Sequence, residues 1–228
     1  ESLYFPNDWQ VENRTLLAAL IRYAELADGI DLLESTAVDS VVVERDSALG
    51  IAGGGRRISA GTVVLATGAW TSLIKIGDVP VPLSVRPIRG QMISFAPAER
   101  LFGRVVYSPR GYIIPRADGR ILAGATVEDV GFDTGLTPEA EEMLTRTAME
   151  ISPALGRTPI AEAWAGLRPL SDDALPILGA VPGLANLQVA AGHYRNGILL
   201  APITARLLAD SLSGERPVFL DIFGPERG

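Results

Sequence analysis

The residues best suited to chemistry in this sequence stand together in one turn. A histidine, a tyrosine and an arginine occupy positions 193–195, between Gly192 and Gly197. The apolar segment 187–191 predicts a strand before them, and apolar periodicity predicts a helix after them that ends near Ser213. A helix N-terminus presents backbone N–H groups, and glycines let a flat or anionic ligand approach the backbone closely. The pattern therefore predicts a loop that contacts a cofactor.

Arg168 and Tyr112 are the other side chains with a chemical interpretation. Arg168 follows Trp-Ala-Gly-Leu at 164–167. An arginine beside an aromatic residue and a glycine suits a bidentate carboxylate clamp, although a solvated arginine gives the same pattern. Tyr112 stands early in a predicted strand, where it is either a core residue with a satisfied hydroxyl or a residue that faces a pocket.

Two further positions each leave two interpretations open. Thr67-Gly68 follows the apolar run 62–66 and opens a short helix, which suits a site near a nucleotide but also an ordinary turn between strand and helix. His193 is either structural or catalytic, and the sequence shows no serine or acid placed to form a triad with it.

Composition excludes several classes of function. Among 228 residues there are 20 basic and 27 acidic side chains, a net charge of −7, which argues against a non-specific nucleic-acid partner. The absence of cysteine and the single histidine exclude disulfides, thiol nucleophiles and multi-histidine zinc sites. No apolar run approaches the roughly 20 residues that span a bilayer, and no signal peptide is apparent. We therefore predict a cytoplasmic protein with no membrane partner.

The elements that must position these residues differ between the two parts of the chain. The first part predicts an α/β alternation, and the second predicts mainly successive strands, the change being marked by Pro80, Pro82 and Pro87. The resulting fold class is mixed α/β and α+β. In the first part we predict a helix over 14–27 capped by Asn13 and stopped by Gly29, strands at 30–34 and 38–44, a turn-rich segment at 46–55 with a hairpin loop at 53–55, and a strand at 62–66 buried on both faces. In the second part we predict strands at 90–96, 105–107, 111–116, 120–126 and 160–167, a turn at Asp118-Gly119, a helix from Thr137 to Ile151, and a loop-rich segment at 171–186 with a short apolar piece at 176–178.

Taken together, several segments resemble the D-amino-acid oxidase superfamily of flavoproteins, and among them the glycine oxidases of the thiamine pathway. The matching segments occur in the family's order and are Gln10–Glu12, Val64–Trp70, Arg89–Gln91, Tyr112–Arg116, Gly124–Thr126, Trp164–Pro169 and Gly192–Pro202. The resemblance implies FAD as cofactor, a small amino acid or amine as substrate, and molecular oxygen as electron acceptor. The products would be an oxo acid, ammonia or an amine, and hydrogen peroxide.

The resemblance also implies a division of the chain. An incomplete Rossmann-like FAD-binding domain would comprise residues 15–83 and 171–228. A mostly antiparallel substrate-binding domain would comprise residues 1–14 and 84–170.

Roles for individual residues follow from the same resemblance. Arg168 would clamp the substrate carboxylate, Arg195 would lie near both flavin and substrate, and Tyr112 and Arg110 would line the substrate side. No catalytic base is expected, because the substrate would enter as a neutral amine. The cofactor contacts would be Val38, Thr67, Gly68, Gly90, Gly166, His193, Tyr194, Arg195, Asn196, Gly197, Ile198 and Leu199.

The sequence departs from the family pattern at three places. Arg110 stands where relatives often have a histidine, and Val127 replaces a methionine found in some of them. The Gly-x-Gly-x-x-Gly turn that holds the FAD pyrophosphate is not found. We therefore expect the chain to be the C-terminal three-fifths of the enzyme, to hold FAD weakly alone, and to associate with the missing part or with further copies of itself. A related dehydrogenase that uses a quinone or dye, and a non-catalytic binding or assembly module, remain the alternatives.

Overall fold

The computed structural model describes residues 3–78 and 83–227. The chain forms two compact units. The first unit comprises Glu1–Glu34, Gln91–Thr126 and Leu136–Trp164, and the second comprises Ser35–Gly90, Val127–Gly135 and Ala165–Gly228. The segment 15–34 thus clusters with the unit that contains residues 91–126, whereas the sequence-based division grouped it with 35–83. Pro80 and Pro82 lie outside the described residues.

Four α-helices and twelve strands are found in the described part of the chain. The helices are α1 (Asn13–Leu26), α2 (Pro138–Ile151), α3 (Gly197–Leu212) and α4 (Val218–Phe223). The strands are β1 (Ser40–Glu44), β2 (Ser47–Gly53), β3 (Arg56–Ser59), β4 (Val63–Leu65), β5 (Lys75–Ile76), β6 (Val85–Phe95), β7 (Val106–Ser108), β8 (Gly111–Pro115), β9 (Ile121–Gly124), β10 (Ile160–Ser171), β11 (Ile177–Ala180) and β12 (Leu187–Ala191). Two 3-10 helices, Gly68–Leu73 and Pro153–Arg157, complete the set.

The second unit contains two small sheets on a shared apolar core. One has the strand order β3-β2-β1-β5 and the other has the order β11-β12-β4. Strand β12 pairs antiparallel with β11 and parallel with β4, which places Leu187 opposite Val63 and Val189 opposite Leu65. Leu187 and Val189 are fully buried in a cluster that also includes Val41 from the other sheet. Burial of such side chains contributes roughly 1.5–3 kcal/mol each to the free energy of unfolding.

The first unit is built around antiparallel strands covered by α2. The sheet order is β10-β6-β9-β8-β7, and the strands β6, β9, β8 and β7 pair antiparallel in succession. Of β6 and β10, residues 91–95 and 160–164 belong to this unit and the remaining residues belong to the second unit. Helix α2 begins as predicted, since the Thr137 side chain accepts a hydrogen bond from the Ala140 N–H and Pro138 occupies the first turn. Its Leu144 and Ala148 pack with Phe95 and Ile113 in the core of this unit.

Most predicted elements are present, but the ends of several differ. Helix α1 is capped by the Glu12 carboxylate, which accepts from the Thr15 N–H at 3.1 Å, so Asn13 is its first residue and not its cap. The helix predicted to end near Ser213 does so, with Ser213 at the C-cap of α3. Strand β10 extends through Ser171, so Arg168 lies within the strand and not after its end.

Three sequence predictions about strands are wrong for physical reasons. Residues 30–34 form no strand, because no described strand lies alongside to complete a hydrogen-bonded ladder. Residues 47–53, predicted as turn, form β2; Gly50 is required there because a Cβ would lie 2.0 Å from the Ile58 carbonyl oxygen. The hairpin loop predicted at its end is correct, and Gly54 and Gly55 adopt positive φ. Val64 is 40% exposed whereas its neighbours Val63 and Leu65 are buried, so only one face of β4 is covered. The segment 171–186 is loop-rich as predicted, and its apolar piece at 176–178 lies at the start of β11 (Ile177–Ala180).

None of the helices in the described part of the chain is long and apolar enough to cross a membrane.

Candidate functional site

Two turns of the second unit meet at the carboxyl edge of the parallel pair β4–β12. Thr67-Gly68 follows β4, and Gly192 follows β12. Because the two strands are parallel and Leu65 lies opposite Val189, both turns emerge at the same end of the sheet. In open α/β sheets, ligands bind in the crevice outside the carboxyl ends of the strands. This edge is the candidate functional site.

The turn after β4 is fixed by hydroxyl groups. Gly68 has φ +55°, a conformation that L side chains rarely adopt. The buried Thr71 hydroxyl donates to the Gly68 carbonyl at 2.8 Å and lies 3.0 Å from the Thr67 hydroxyl. The Thr67-Gly68 backbone is therefore held in one conformation at the edge of the sheet.

The turn after β12 is attached to the end of β10. His193 forms an isolated antiparallel bridge with Leu170, and the Tyr194 N–H donates to the Pro169 carbonyl at 2.8 Å. Tyr194 has φ +48°. The left-handed conformation costs a residue other than glycine about 1–2 kcal/mol. The hydrogen bonds to the end of β10 therefore hold Tyr194 in this conformation. Arg168 and the 193–195 turn, which the sequence separates by 25 positions, are thus connected by backbone hydrogen bonds.

His193 has a structural partner in α3. Its Nε2 lies 3.0 Å from the Thr204 hydroxyl, which is itself buried. Burial lowers the pKa of the His193 imidazole below 6.5, so the ring is neutral at physiological pH. Of the two interpretations the sequence left open, the contact with Thr204 favours the structural one, in which the ring joins the turn to α3.

The first turn of α3 presents backbone N–H groups and apolar side chains. The first helical hydrogen bond runs from the Leu200 N–H to the Asn196 carbonyl, so the N–H groups of 197–199 have no acceptor within the helix. Asn196 does not cap them with its side chain, and the first turn contains no acidic residue. Leu199 is 78% exposed and Ile198 is half exposed. A planar ring with a hydrogen-bonding edge fits such a surface.

Arg195 and Gly166 are both exposed to solvent. Arg195 is exposed and forms no hydrogen bond or ion pair with any described residue. A Cβ placed on Gly166 would meet nothing within 4 Å.

The guanidinium of Arg168 lies directly against Gly90. A Cβ at Gly90 would come within 2.2–2.3 Å of three guanidinium atoms, so only glycine allows this arrangement. One Arg168 nitrogen donates to the Arg89 carbonyl at 3.4 Å. Gly90 is predicted as a cofactor contact, and the Arg168 side chain lies against it.

Arg89 is a feature of the site that the sequence analysis did not identify. Its side chain is 4% exposed and donates to the Glu128 carboxylate at 2.6 Å, the Asp133 carboxylate at 2.6 Å and the Gly135 carbonyl at 2.9 Å. The hydrogen bond with Glu128 raises the pKa of Arg89. The sequence carries no local signal for its burial, because Arg89 stands just before the predicted strand at 90–96 and its partners lie 39 or more positions away.

Val38 lies just before β1, in the other sheet of the same unit. A Cβ at Gly53 would lie 2.1 Å from the Ala37 carbonyl oxygen and 2.8 Å from the Val38 Cα, so the backbone of 37–38 runs directly against β2. The Asp39 N–H donates to the Ala52 carbonyl at 2.9 Å. The half-buried Val38 therefore continues the line of β1 beyond its assigned start.

Tyr112 and Arg110 belong to the first unit, on the hairpin formed by β7 and β8. The half-buried Tyr112 ring lies 5.6 Å from that of Tyr107, and a Cβ at Gly124 would come within 3.0 Å of the Tyr112 hydroxyl oxygen. Arg110 is exposed and paired with Glu150 of α2 at 2.5 Å. The charge of Arg110 is therefore partly satisfied within its own unit.

Comparison with known proteins identifies the family. Residues 1–211 match the family model described as FAD dependent oxidoreductase. A glycine oxidase of Pseudomonas aeruginosa is 40% identical over 205 residues, which cover 90% of this chain and 55% of the relative. A bifunctional protein ThiO/ThiG of Trichormus variabilis is 41% identical over 211 residues, which cover 91% of this chain and 31% of the relative.

A solved structure gives the same result at the level of the fold. The crystal structure of glycine oxidase from Geobacillus kaustophilus superposes with a TM-score of 0.84 at 34% identity, covering 93% of this chain and 57% of that one. The chain thus spans about half the length of the glycine oxidases it matches. The mixed α/β architecture predicted from the sequence is confirmed, and the resemblance noted there is confirmed by the family match. The chain belongs to the D-amino-acid oxidase family of FAD-dependent oxidoreductases.

Proposed function

We propose that the protein containing this chain oxidises glycine, sarcosine or a similarly small amino acid or amine, with FAD as cofactor and molecular oxygen as acceptor. The observation that carries the proposal is the Arg168 guanidinium, packed over Gly90 and connected through Pro169 to the turn at Gly192–Asn196. In a family of FAD-dependent oxidoreductases, this is an arrangement suited to holding a carboxylate beside a flavin.

Arg168 supplies the carboxylate contact. Arginine presents parallel N–H donors that match the two oxygens of a carboxylate. Gly90 beneath the guanidinium and the hydrogen bond to the Arg89 carbonyl restrict its movement, so less side-chain entropy is lost when a substrate binds. The Arg89 charge is already balanced by Glu128 and Asp133, which makes Arg89 a support and not a second clamp.

The residues at the carboxyl edge of β4–β12 fit the ring end of FAD. The turn at 193–196 and the first turn of α3 would border the isoalloxazine, and the N–H groups of 197–199 together with the helix dipole would favour negative charge on it. Thr67-Gly68 would lie beside it, and the backbone at Val38 would meet the adenine. When bound, FAD accepts a hydride equivalent from the substrate α-carbon and is reoxidised by oxygen. The net reaction consumes one amino acid, one oxygen and one water, and releases an oxo acid, ammonia or an amine, and hydrogen peroxide.

The protein residues position the substrate beside the cofactor and provide charges that interact with both. The neutral amine of the substrate needs no protein base, and the neutral, Thr204-bonded His193 is not assigned one. Arg195, Tyr112 and Arg110 are the further substrate contacts that the resemblance implies. The names of two relatives, glycine oxidase and ThiO/ThiG, support a small substrate and a role in thiamine biosynthesis.

The test is hydrogen peroxide release and oxygen uptake by the full-length protein with glycine and sarcosine. Activity with an artificial electron acceptor but without oxygen uptake would favour a dehydrogenase. A full-length preparation that cannot be reconstituted with FAD would refute the proposal and favour a non-catalytic module.

The variant Arg168→Ala tests whether Arg168 binds the substrate carboxylate. Loss of a charge-assisted hydrogen-bonded pair costs about 1.5–3 kcal/mol, which corresponds to a rise in KM of roughly 10- to 150-fold, with flavin content little changed. Arg206→Ala is the matched control, since Arg206 makes an exposed pair with Asp210 on α3. A KM for glycine within twofold of wild type in Arg168→Ala would show that the clamp is assigned to the wrong residue.

A further inference from the structure

The last arginine of the chain is inserted into a loop that follows β10. All three guanidinium nitrogens of Arg227 donate hydrogen bonds: Nε and Nη2 to the two Asp173 carboxylate oxygens at 2.8 and 3.1 Å, Nη2 to the Leu175 carbonyl at 2.8 Å, and Nη1 to the Phe223 carbonyl at 2.7 Å. The side chain is only 17% exposed. We call this set of contacts the Arg227 clamp.

The loop that Arg227 holds, residues 171–175, is conformationally constrained. Ala174 has φ +61°, which costs an L residue about 1–2 kcal/mol. The Leu175 N–H donates to Asp173 at 3.0 Å, and the Ser171 hydroxyl donates to the Leu175 carbonyl at 2.6 Å. A strained residue of this kind persists only where surrounding contacts determine its conformation. Arg227 supplies contacts to both Asp173 and Leu175.

The same loop packs against the start of the functional turn. Gly192 has φ +71°, and a Cβ there would lie 3.1 Å from the Ser171 Cβ, 3.2 Å from the Leu175 carbonyl oxygen and 3.3 Å from the Ile177 side chain. The Leu175 carbonyl oxygen therefore lies close to Gly192 and also accepts a hydrogen bond from the Arg227 guanidinium. Immediately upstream, Leu170 bridges to His193 at the end of the strand that carries Arg168.

We propose that Arg227 is a positioning residue for the site: by fixing the 171–175 loop, it sets both the end of β10 that carries Arg168 and the turn at Gly192–Asn196. The part of this inference that concerns carboxylate binding rests on the proposed function, whereas the part that concerns the backbone does not. The family match ends at residue 211, so Arg227 lies beyond it.

The charges of Arg227 and Asp173 favour a contact that persists across the working pH range. The hydrogen bond from Arg227, together with the Leu175 N–H, holds the pKa of the Asp173 carboxyl far below its usual range. The pair therefore stays ionised throughout the pH range in which the protein would work.

The experiment compares wild type with Arg227→Ala, Arg227→Lys and the control Arg206→Ala in the full-length protein. Arg227→Lys keeps the charge but cannot engage both carboxylate oxygens and a carbonyl together. The control removes a bidentate arginine–aspartate pair from the exposed side of α3 in the same unit. Backbone amide hydrogen exchange is measured without substrate on peptides covering 168–176, 190–200 and, as an internal reference, β9.

We expect exchange at Leu175 and at Tyr194 to rise at least about tenfold in Arg227→Ala, with a smaller rise in Arg227→Lys and no change at β9 or in the control. The KM for glycine should rise by a larger factor than kcat falls, because Arg168 makes the carboxylate contact whereas the turn only borders the ring. Faster exchange confined to 171–176, with the 190–200 peptide unchanged, would overturn the proposal. If Arg227→Ala unfolds, Arg227→Lys gives the same comparison. A wild-type protein that oxidises no amino acid would refute the proposed function, while the exchange data would still decide whether Arg227 positions the turn.

Discussion

Gly90→Ala should damage carboxylate binding without removing any charged group. The new methyl group would occupy the position now taken by the Arg168 guanidinium, with heavy-atom separations of 2.2–2.3 Å against the 3.4–4 Å of ordinary contact. The backbone of β6 is held by its sheet partners, so the guanidinium at the end of a flexible side chain must move. The perturbation thus displaces Arg168 and leaves its charge in the protein.

The expected magnitude follows from what the displaced group contributes. A hydrogen-bonded pair with a charged group is worth about 1.5–3 kcal/mol, so KM for glycine should rise roughly 10- to 150-fold, approaching the effect of Arg168→Ala. Global stability should change less: overpacking typically costs 1–3 kcal/mol, and a side chain that can swing aside favours the lower value of about 1 kcal/mol.

The assay is steady-state oxygen uptake against glycine concentration, with denaturant unfolding on the same preparations. Gly61→Ala is the control, because a Cβ at Gly61 meets nothing within 4 Å and its φ is not in the left-handed region. The double variant Gly90→Ala/Arg168→Ala should be no worse than Arg168→Ala alone. A Gly90→Ala enzyme with wild-type KM, or a double variant with additive losses, would refute the idea that Gly90 acts by seating Arg168.

The other predictions concern the free energy of unfolding of variants at Arg89 and His193. Arg89→Met should lower the denaturation midpoint far more than Arg86→Met, because Arg89 is buried and its loss removes the cation shared by Glu128 and Asp133, whereas Arg86 and its partner Asp129 are exposed; chemical denaturation of both variants measures this. The half-buried His193 has a pKa below its ordinary value of 6.5, so as pH falls below 6.5 the unfolded chain binds a proton first and the free energy of unfolding decreases until the native imidazole is also protonated. His193→Gln should remove that part of the pH dependence between pH 7.5 and 5, since His193 is the only histidine, and an unchanged slope would contradict the assignment.

Local signals in the sequence were strong enough to predict most elements. Helix α2 was placed correctly because Thr137-Pro138 caps it and its apolar spacing persists to Ile151. The strand at 187–191 and the helix after it were also placed correctly, as each has its own periodicity and turn residues. The segment 47–53 was misassigned, since its glycines indicate a turn locally but in the fold allow another strand to approach closely.

Most of the helices and strands, the motif residues and the family can be predicted from the sequence, because motifs such as Trp-Ala-Gly-Leu-Arg-Pro are local and occur in a fixed order. Which of these residues come into contact depends on the tertiary fold. The seating of Arg168 over Gly90, the burial of Arg89 between two carboxylates, and the contact of Arg227 with Asp173 join positions 78, 39 to 44, and 54 residues apart. Such contacts depend on strand register and loop packing, which result from the burial of the whole core and leave no periodic signal in the residues themselves.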